Sequence, residues 1–362
     1  MTVIIFIIVL AVLIFVHELG HFLVAIWNKI RVDEFKIGFG PKILSWGKGE
    51  TKYGLNLIPF GGYVKIHGEN PDEESIHGHD KDRSFVNKNP FQQVSVLVAG
   101  VAFNFLFAWL LYSIVFSFGV SATKEGFEKY QSLFSNERIM ISSVSVGSPA
   151  ENAGLKMGDV IHYVNKKENN KIEQIQNEII NSKGQSIVVG YERDGKILES
   201  KVLPKTGIVG DKYAIGIAMS DVVDIKLPIF TSIIEGGRYT LFMMKEMALG
   251  LYDFFSNLFR GQANFADVSG PIGIAGIVGG AASMGMTYLL MITALISINL
   301  GIINLIPFPA LDGGRVLFVL IESISRRKIK PVIANWVNTV GFVLLMLLMI
   351  VVTYKDLVKI LK

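Results

Sequence analysis

Val16-His17-Glu18-Leu19-Gly20-His21 lies inside an apolar run, Val3 to Trp27, that is long enough to cross a bilayer. Two residues four apart share one face of an α-helix, so His17 and His21 can present two ring nitrogens to one ion. In a His-Glu-x-x-His pattern the histidines bind Zn²⁺ and the glutamate, here Glu18, takes a proton from water. A pair of histidines buried against polar neighbours in a helix bundle would look similar in five residues. The setting separates the two readings. An ionisable group in a membrane span costs roughly 3 kcal/mol or more and marks function, and Glu18 is the only acidic residue among the first 32. The run lacks a basic start and a small-residue cleavage site and continues past the histidines, so it reads as a retained span rather than a leader.

The chain has 362 residues, 51% of them hydrophobic, which is too apolar for an ordinary soluble protein yet leaves room for a water-soluble domain. Its 35 basic and 31 acidic residues are spread out, with no basic stripe interleaved with aromatics, so no nucleic-acid partner is expected. The absence of cysteine excludes thiol catalysis, cysteine-ligated metal and disulfides. Histidine is confined to six positions: 17, 21, 67, 77, 79 and 162.

Apolar segments near 3–27, 94–119, 287–308 and 335–353 are each able to span a membrane. The 28–90 stretch carries ten basic residues against nine acidic ones. The short 309–334 connection carries five basic residues, including Arg326, Arg327, Lys328 and Lys330. By the positive-inside rule both face the cytoplasm, and both termini face outward. Ten residues separate His17 from Trp27, which puts the motif about 15 Å from the cytoplasmic end of its helix. Water reaches that depth only through a protein-lined cavity. The expected organisation is an N-terminal membrane part (1–120), an extracytoplasmic domain (121–222), an amphipathic helix with a connector (223–286) and a C-terminal membrane part (287–362).

Between the first two spans, Glu34 to Lys65 alternates apolar and polar residues around Gly38-Phe39-Gly40-Pro41 and Gly61-Gly62-Tyr63. Short strands and hairpins beside the first helix are expected. They either pack as a small sheet or offer an edge to an extended peptide. His67, His77 and His79 sit in an acidic loop and read as solvated rather than metal-binding. In the second polar region, strand-like runs cover Met140 to Val146, Ser186 to Tyr191 and Tyr213 to Met219. The segment Gly147-Ser148-Pro149-Ala150-Glu151-Asn152-Ala153-Gly154-Leu155-Lys156-Met157-Gly158-Asp159-Val160-Ile161 resembles the core of PDZ domains. That resemblance implies a groove between a strand and a helix, which either takes a peptide or C-terminus or only blocks bulky proteins. Lys226 to Arg260 is amphipathic and rich in aromatics and Met, as in a helix at the outer interface or one packed on the bundle. Phe265 to Gly285, rich in Gly and Ala, reads as a flexible connector near the membrane.

A catalytic Zn²⁺ normally takes three protein ligands, so one more His, Asp or Glu is needed. From Val268 to Ile321 the only acidic residue is Asp312, in Asn304-Leu305-Ile306-Pro307-Phe308-Pro309-Ala310-Leu311-Asp312-Gly313-Gly314. Its prolines interrupt a helix and its glycines permit a sharp turn, so the carboxylate can be aimed sideways. An aspartate capping a helix that begins near Gly313 is the alternative.

These features in combination resemble the site-2 intramembrane metalloproteases, most closely their bacterial RseP-like branch. The likeness extends over essentially the whole chain, including Ile37-Gly38-Phe39-Gly40, Pro59-Phe60-Gly61-Gly62-Tyr63-Val64-Lys65 and Gly270-Pro271-Ile272-Gly273. It implies a polytopic α-helical membrane protein of about four transmembrane helices, with a membrane-associated β-hairpin region and an inserted PDZ domain. It further implies Zn²⁺ held by His17, His21 and Asp312, water activated by Glu18, and substrate backbone held by Asn304. Gly38, Phe39, Gly40 and the strands after them would clamp an unwound substrate. The implied substrates are single-pass membrane proteins already shortened on the outside, such as anti-sigma factors or remnant signal peptides. The implied location, among membrane lipid, is the bacterial inner (cytoplasmic) membrane, with the PDZ domain outside and the active site toward the cytoplasm. Two departures stand out. Only one PDZ signature is present, and the second span reads Ala99-Gly100-Val101-Ala102-Phe103-Asn104 where many relatives have Gly-Pro, which leaves Asn104 with a structural role.

Serine-type intramembrane proteolysis lacks its nucleophile motif here, and the aspartyl type lacks a second intramembrane aspartate. A metal-ion transporter using the same ligands would need further polar residues across the bilayer. A membrane-anchored PDZ scaffold with a dead site would not need Glu18.

Overall fold

Proline and glycine set most of the element boundaries in this chain. The computed structural model describes residues 1–361 apart from 48, 71, 125–127, 169, 170, 194 and 263–269. In chain order the elements are α1 (Thr2–Trp27), β1 (Val32–Trp46), β2 (Lys52–Ile66), α2 (Glu73–His77), α3 (Pro90–Phe118), β3 (Val120–Thr123), β4 (Phe134–Val144), α4 (Pro149–Asn152), β5 (Val160–Val164), β6 (Lys167–Glu168), α5 (Ile172–Asn181), β7 (Ile187–Arg193), β8 (Lys196–Val202), β9 (Lys205–Val209), β10 (Lys212–Ala214), β11 (Ile217–Ile225), α6 (Ile229–Phe259), α7 (Pro271–Met284), α8 (Met286–Leu305), α9 (Asp312–Ser325) and α10 (Pro331–Leu361). They form two compact units: Met1–Val115 with Ile229–Lys362, and Phe116–Pro228.

In the first unit α1, α3, α8 and the Pro331–Val358 part of α10 are long and apolar enough to cross a bilayer. α8 ends three residues earlier than its hydrophobicity suggests. Pro307 disfavours helical geometry in the residue before it, and Ile306 is extended, with ψ 135°. The Gly- and Ala-rich stretch expected to be a connector contains a helix, α7, while its 265–269 portion lies outside the described residues. Here small residues serve close packing rather than flexibility. Gly279 lies against Thr2 with no room for a Cβ, and Val278 is buried with Val9 and Leu13 of α1. α6 packs on the bundle: Ser232, Glu235, Gly236 and Thr240 are buried. Trp109 Nε1 of α3 donates to the Ile233 carbonyl at 2.7 Å, and Tyr112 meets Tyr239 edge to face.

β1 and β2 are each long enough to fold back and pair twice. Residues 34–37 pair with 62–65 on one side and with 52–55 on the other, and 42–46 pair with 53–56. Gly38 and Gly40, at φ +86° and +83°, allow β1 to bend between its two halves. Segment 62–66 forms one outer edge, with no strand on its far side among the described residues. Phe22 of α1 stacks edge-on with Phe35 at 5.2 Å and with Tyr53 at 6.0 Å. Phe22, Ala25, Phe35, Val64, Val96, Leu97 and Val319 share one core, which ties α1, the sheet, α3 and α9 together.

The second unit has an antiparallel sheet in the order β3-β11-β4-β5-β7-β8, with β6 beside β5. Ile175 and Ile179 of α5 pack against Ile141, Ile161, Ile187 and Val189 of the sheet. The segment singled out in the sequence forms α4, turns at Gly154 and Gly158 with φ +79° and +94°, and enters β5. Its Asp159 is buried. Arg193 donates to it through Nε and Nη2, both at 2.6 Å, and the Lys156 N–H donates at 2.8 Å. This is the PDZ-like unit that the motif predicts. The expected strand Tyr213 to Met219 is broken by Gly216 at φ +83°, so its two halves join different sheets.

Two outcomes follow for this unit. Arg193→Ala strands the buried Asp159 carboxylate, so it should destabilise the unit by about 3–5 kcal/mol, read as lost hydrogen-exchange protection in β5 and β7. Asp224 accepts from Arg138, Ser121 and Asn136, and chiefly the Arg138 guanidinium holds its carboxyl down to about 2. Its contribution is complete above the ordinary carboxylate value of 3.8 and is lost as pH falls through about 2. Protection of β3 and β11 should therefore weaken between about pH 4 and 2 in the wild type, and this acid step should be absent in Asp224→Asn.

Candidate metal centre

His17 and His21 lie on one buried face of α1, and Asp312 is the first residue of α9. His17 Nε2 is 3.1 Å from Asp312 Oδ2, His21 Nε2 is 3.3 Å from the same oxygen, and the two ring nitrogens are 3.2 Å apart. Metal bonds of about 2.0–2.1 Å set tetrahedral ligand-to-ligand edges of about 3.3 Å, so this triangle has the size of one face of a zinc site. Among the described residues it is the one cluster of histidine and carboxylate groups able to hold a metal. His67, His77 and His79 do not join it, and among the described residues there is no second such cluster of the kind a transporter would need for further stations.

Proton placement shows that the donor set fits a cation. The Val96 carbonyl can only accept, so the 2.8 Å contact from His21 Nδ1 puts that ring's proton on Nδ1 and leaves Nε2 a bare lone pair. Asp312 Oδ2 is buried and makes no sound hydrogen bond despite its short distances to both rings. With that ring neutral, two acceptors face each other across 3.3 Å, a repulsive arrangement that a second ring proton or a bound cation converts into an attractive one. The N-cap position of α9 belongs to Leu311, and Asp312 makes no capping bond, so the helix-cap alternative falls away.

Three glycines make the approach possible. Gly20 of α1 lies on the Ala99 carbonyl, where a Cβ would come within 3.0 Å. A Cβ on Gly100 of α3 would lie 2.8 Å from His17 Cε1 and closer still to His21 Nε2. On the sheet side, a Cβ on Gly62 would sit 3.0 Å from Ile14 Cγ2 and 3.6 Å from Glu18 Cγ, which puts the outer strand beside Glu18. Glu18 is half-buried and has no hydrogen bond or ion pair among the described residues, and His21, His17, Asp312 and Glu69 are the charged or titratable groups around it.

The remaining expected site residues are placed as follows. Asn304 lies in the last turn of α8, half-buried, with its amide making no hydrogen bond among the described residues. Gly38 and Gly40 form the bend of β1. The backbone of Phe39 pairs with Ile58, and its side chain lies outside the described residues. Gly100, Gly62 and the Val96 carbonyl were not legible as site components, because a glycine or a backbone oxygen carries no chemical label in a sequence. Asn104, read as structural, is fully buried with Nδ2 3.0 Å from His17 Nδ1. Its signal was its spacing, one helical turn after Gly100.

Comparison with known proteins gives a consistent result. Residues 5–348 match the family model described as Peptidase family M50. A candidate zinc metalloprotease of Clostridium acetobutylicum is 37% identical, over 98% of this chain and 97% of that protein. The zinc metalloprotease RasP of Geobacillus kaustophilus is 30% identical over 98% of this chain and 97% of its own length, and RasP of Shouchella clausii is 29% identical over 99% of each. Among solved structures, the PDZ domain of an SdrC-like protein from Listeria monocytogenes matches 24% of this chain and 90% of that domain, with 17% identity and a TM-score of 0.22.

Gly100→Ala should push the two rings apart. Overpacking of this kind costs about 1–3 kcal/mol, so zinc affinity measured by chelator competition should fall about tenfold or more, with helical content unchanged.

Proposed function

The chain belongs to peptidase family M50 and is a multi-pass membrane zinc metalloprotease, and from that premise we propose that it cuts its substrates inside the bilayer, with His17, His21 and Asp312 as metal ligands and Glu18 as the proton carrier. The observation that carries this reading is the convergence of the three ligand atoms within an apolar helix bundle, with a carboxylate beside them that has no partner among the described residues.

Zn²⁺ bound there supplies a Lewis acid that polarises a peptide carbonyl and makes water acidic. The rest of the chemistry falls to this chain's own side chains. Glu18, held by no partner among the described residues, takes the proton from water and passes it to the leaving amine. A substrate helix hides its carbonyls in i to i−4 bonds, so it has to be opened locally before attack. The outer strand 62–66 beside Glu18 supports pairing with such an opened segment. The Gly38-Phe39-Gly40 bend sets where that sheet turns, and the Asn304 amide, without a hydrogen bond among the described residues, supports a further hold on substrate backbone.

The substrates proposed are single-pass membrane proteins already shortened outside, such as anti-sigma factors or remnant signal peptides. Arg326, Arg327, Lys328 and Lys330 follow α9, which supports a cytoplasmic position for that end of the bundle and for the active site. The location is then the bacterial inner membrane, surrounded by lipid, with the PDZ-like unit extracytoplasmic. Its groove receives a peptide or C-terminus.

Glu18→Gln should lower cleavage of a transmembrane substrate by about 10²-fold or more while metal content stays at the wild-type level; cleavage at the wild-type rate would sink the mechanism. A substrate lacking its outer domain should be cut at least about tenfold faster than the intact form, in reconstituted vesicles with purified enzyme. Equal rates would remove the requirement for a first cut.

A further inference from the structure

Asn104 is the most deeply buried polar side chain at the centre that the mechanism leaves without work. It is fully buried on α3, and its backbone carbonyl accepts from Ser297 Oγ of α8 at 2.8 Å, which fixes its height against the metal ligands. Its carboxamide meets His17 Nδ1 at 3.0 Å through the atom assigned as Nδ2, while Oδ1 is buried without any hydrogen-bond partner. Which end of an amide is nitrogen is an assignment made from the surrounding network, and nothing but His17 holds this one as drawn.

Tautomer chemistry decides the question. Drawn with Nδ2 toward the ring, Asn104 donates to a bare Nδ1, so the proton of His17 sits on Nε2, on the side of His21 Nε2 at 3.2 Å. A ring nitrogen carrying a proton cannot be a metal ligand. With the amide turned by half a revolution, Oδ1 accepts from Nδ1–H and Nε2 is a free lone pair, the same state that the Val96 carbonyl imposes on His21. One histidine thus has its tautomer fixed by backbone, and the other has it set by a side chain that can face either way.

We propose that Asn104 is the positioning residue for His17, its Oδ1 accepting the Nδ1 proton so that Nε2 is presented to the metal. This rests on the assignment of His17 as a ligand. The two stand apart experimentally: loss of metal from His17→Ala tests the ligand, and the Asn104 series tests the acceptor.

The test is zinc affinity, by competition with a chromophoric chelator, for full-length wild type, Asn104→Leu and Asn104→Asp purified in detergent. Leucine is similar in size and removes the acceptor, and aspartate keeps it. Asn104→Leu should bind zinc about 10–100-fold more weakly, and Asn104→Asp should stay within about threefold of wild type, as expected where an acceptor on Nδ1 is what matters. Wild-type affinity in Asn104→Leu would overturn the proposal. So would equal weakness in the leucine and aspartate variants when both keep wild-type circular dichroism and elution volume, since the role would then be packing alone. An independent readout needs no variant at Asn104: ¹⁵N shifts of histidine rings in zinc-loaded wild type should show His17 protonated at Nδ1. A His17 ring protonated at Nε2 in that sample would overturn the proposal even if neither variant folds.

Discussion

Two ring nitrogens and a carboxylate oxygen, brought from opposite ends of the chain to within 3.3 Å of one another, are the constraint on which the membrane unit depends. Acceptors gather at that spacing in an apolar interior only with a proton or a cation between them, because nothing nearby screens their repulsion. The surrounding fold is organised to bear that cost. The core shared by Phe22, Phe35, Val96 and Val319 locks α1, α3, α9 and the sheet into one body, so Asp312 meets the histidines without a free loop between them. The turn through Pro307 and Pro309 ends α8 and starts α9 at the depth of the histidine pair.

Close helix approach is the second requirement. A ring pair on one face of α1 needs a neighbour with no side chain, and Gly100 supplies it from α3 while Gly20 supplies the reciprocal gap on α1. A third glycine, Gly62, brings a strand rather than a helix against the same face, next to Glu18. Glu18 is therefore bounded by the His17, His21 and Asp312 cluster on one side and, on the other, by a strand edge with no partner strand among the described residues. The proposed proteolysis of a helical substrate would use both, the cluster for chemistry and the edge for extended backbone.

Much of this is legible in the sequence. The His17 to His21 spacing, the isolation of Asp312 in an otherwise uncharged stretch and the Gly147 to Ile161 segment each carry a physical meaning that survives without context. What could not be read shares one property: it depends on a partner distant in sequence. The two-sided pairing of residues 34–37 follows from a bend at Gly38 to Gly40, and alternation alone cannot tell one hairpin from a doubled one. The 265–285 stretch reads as a connector because glycine marks both flexibility and close packing, and for its helical part, 271–284, Thr2 decides between them only in three dimensions. Asn104 was visible as a polar residue in a span, but its role requires knowing which nitrogen of His17 it touches.

X-ray absorption at the zinc edge of the purified full-length protein tests the central claim most directly. The account predicts one zinc per chain with a shell of nitrogen and oxygen only, including the multiple scattering of two imidazoles, and loss of one imidazole's scattering in His21→Ala. A shell showing no imidazole, or an unchanged spectrum at full zinc content when His17 and Asp312 are both replaced by alanine, would contradict it.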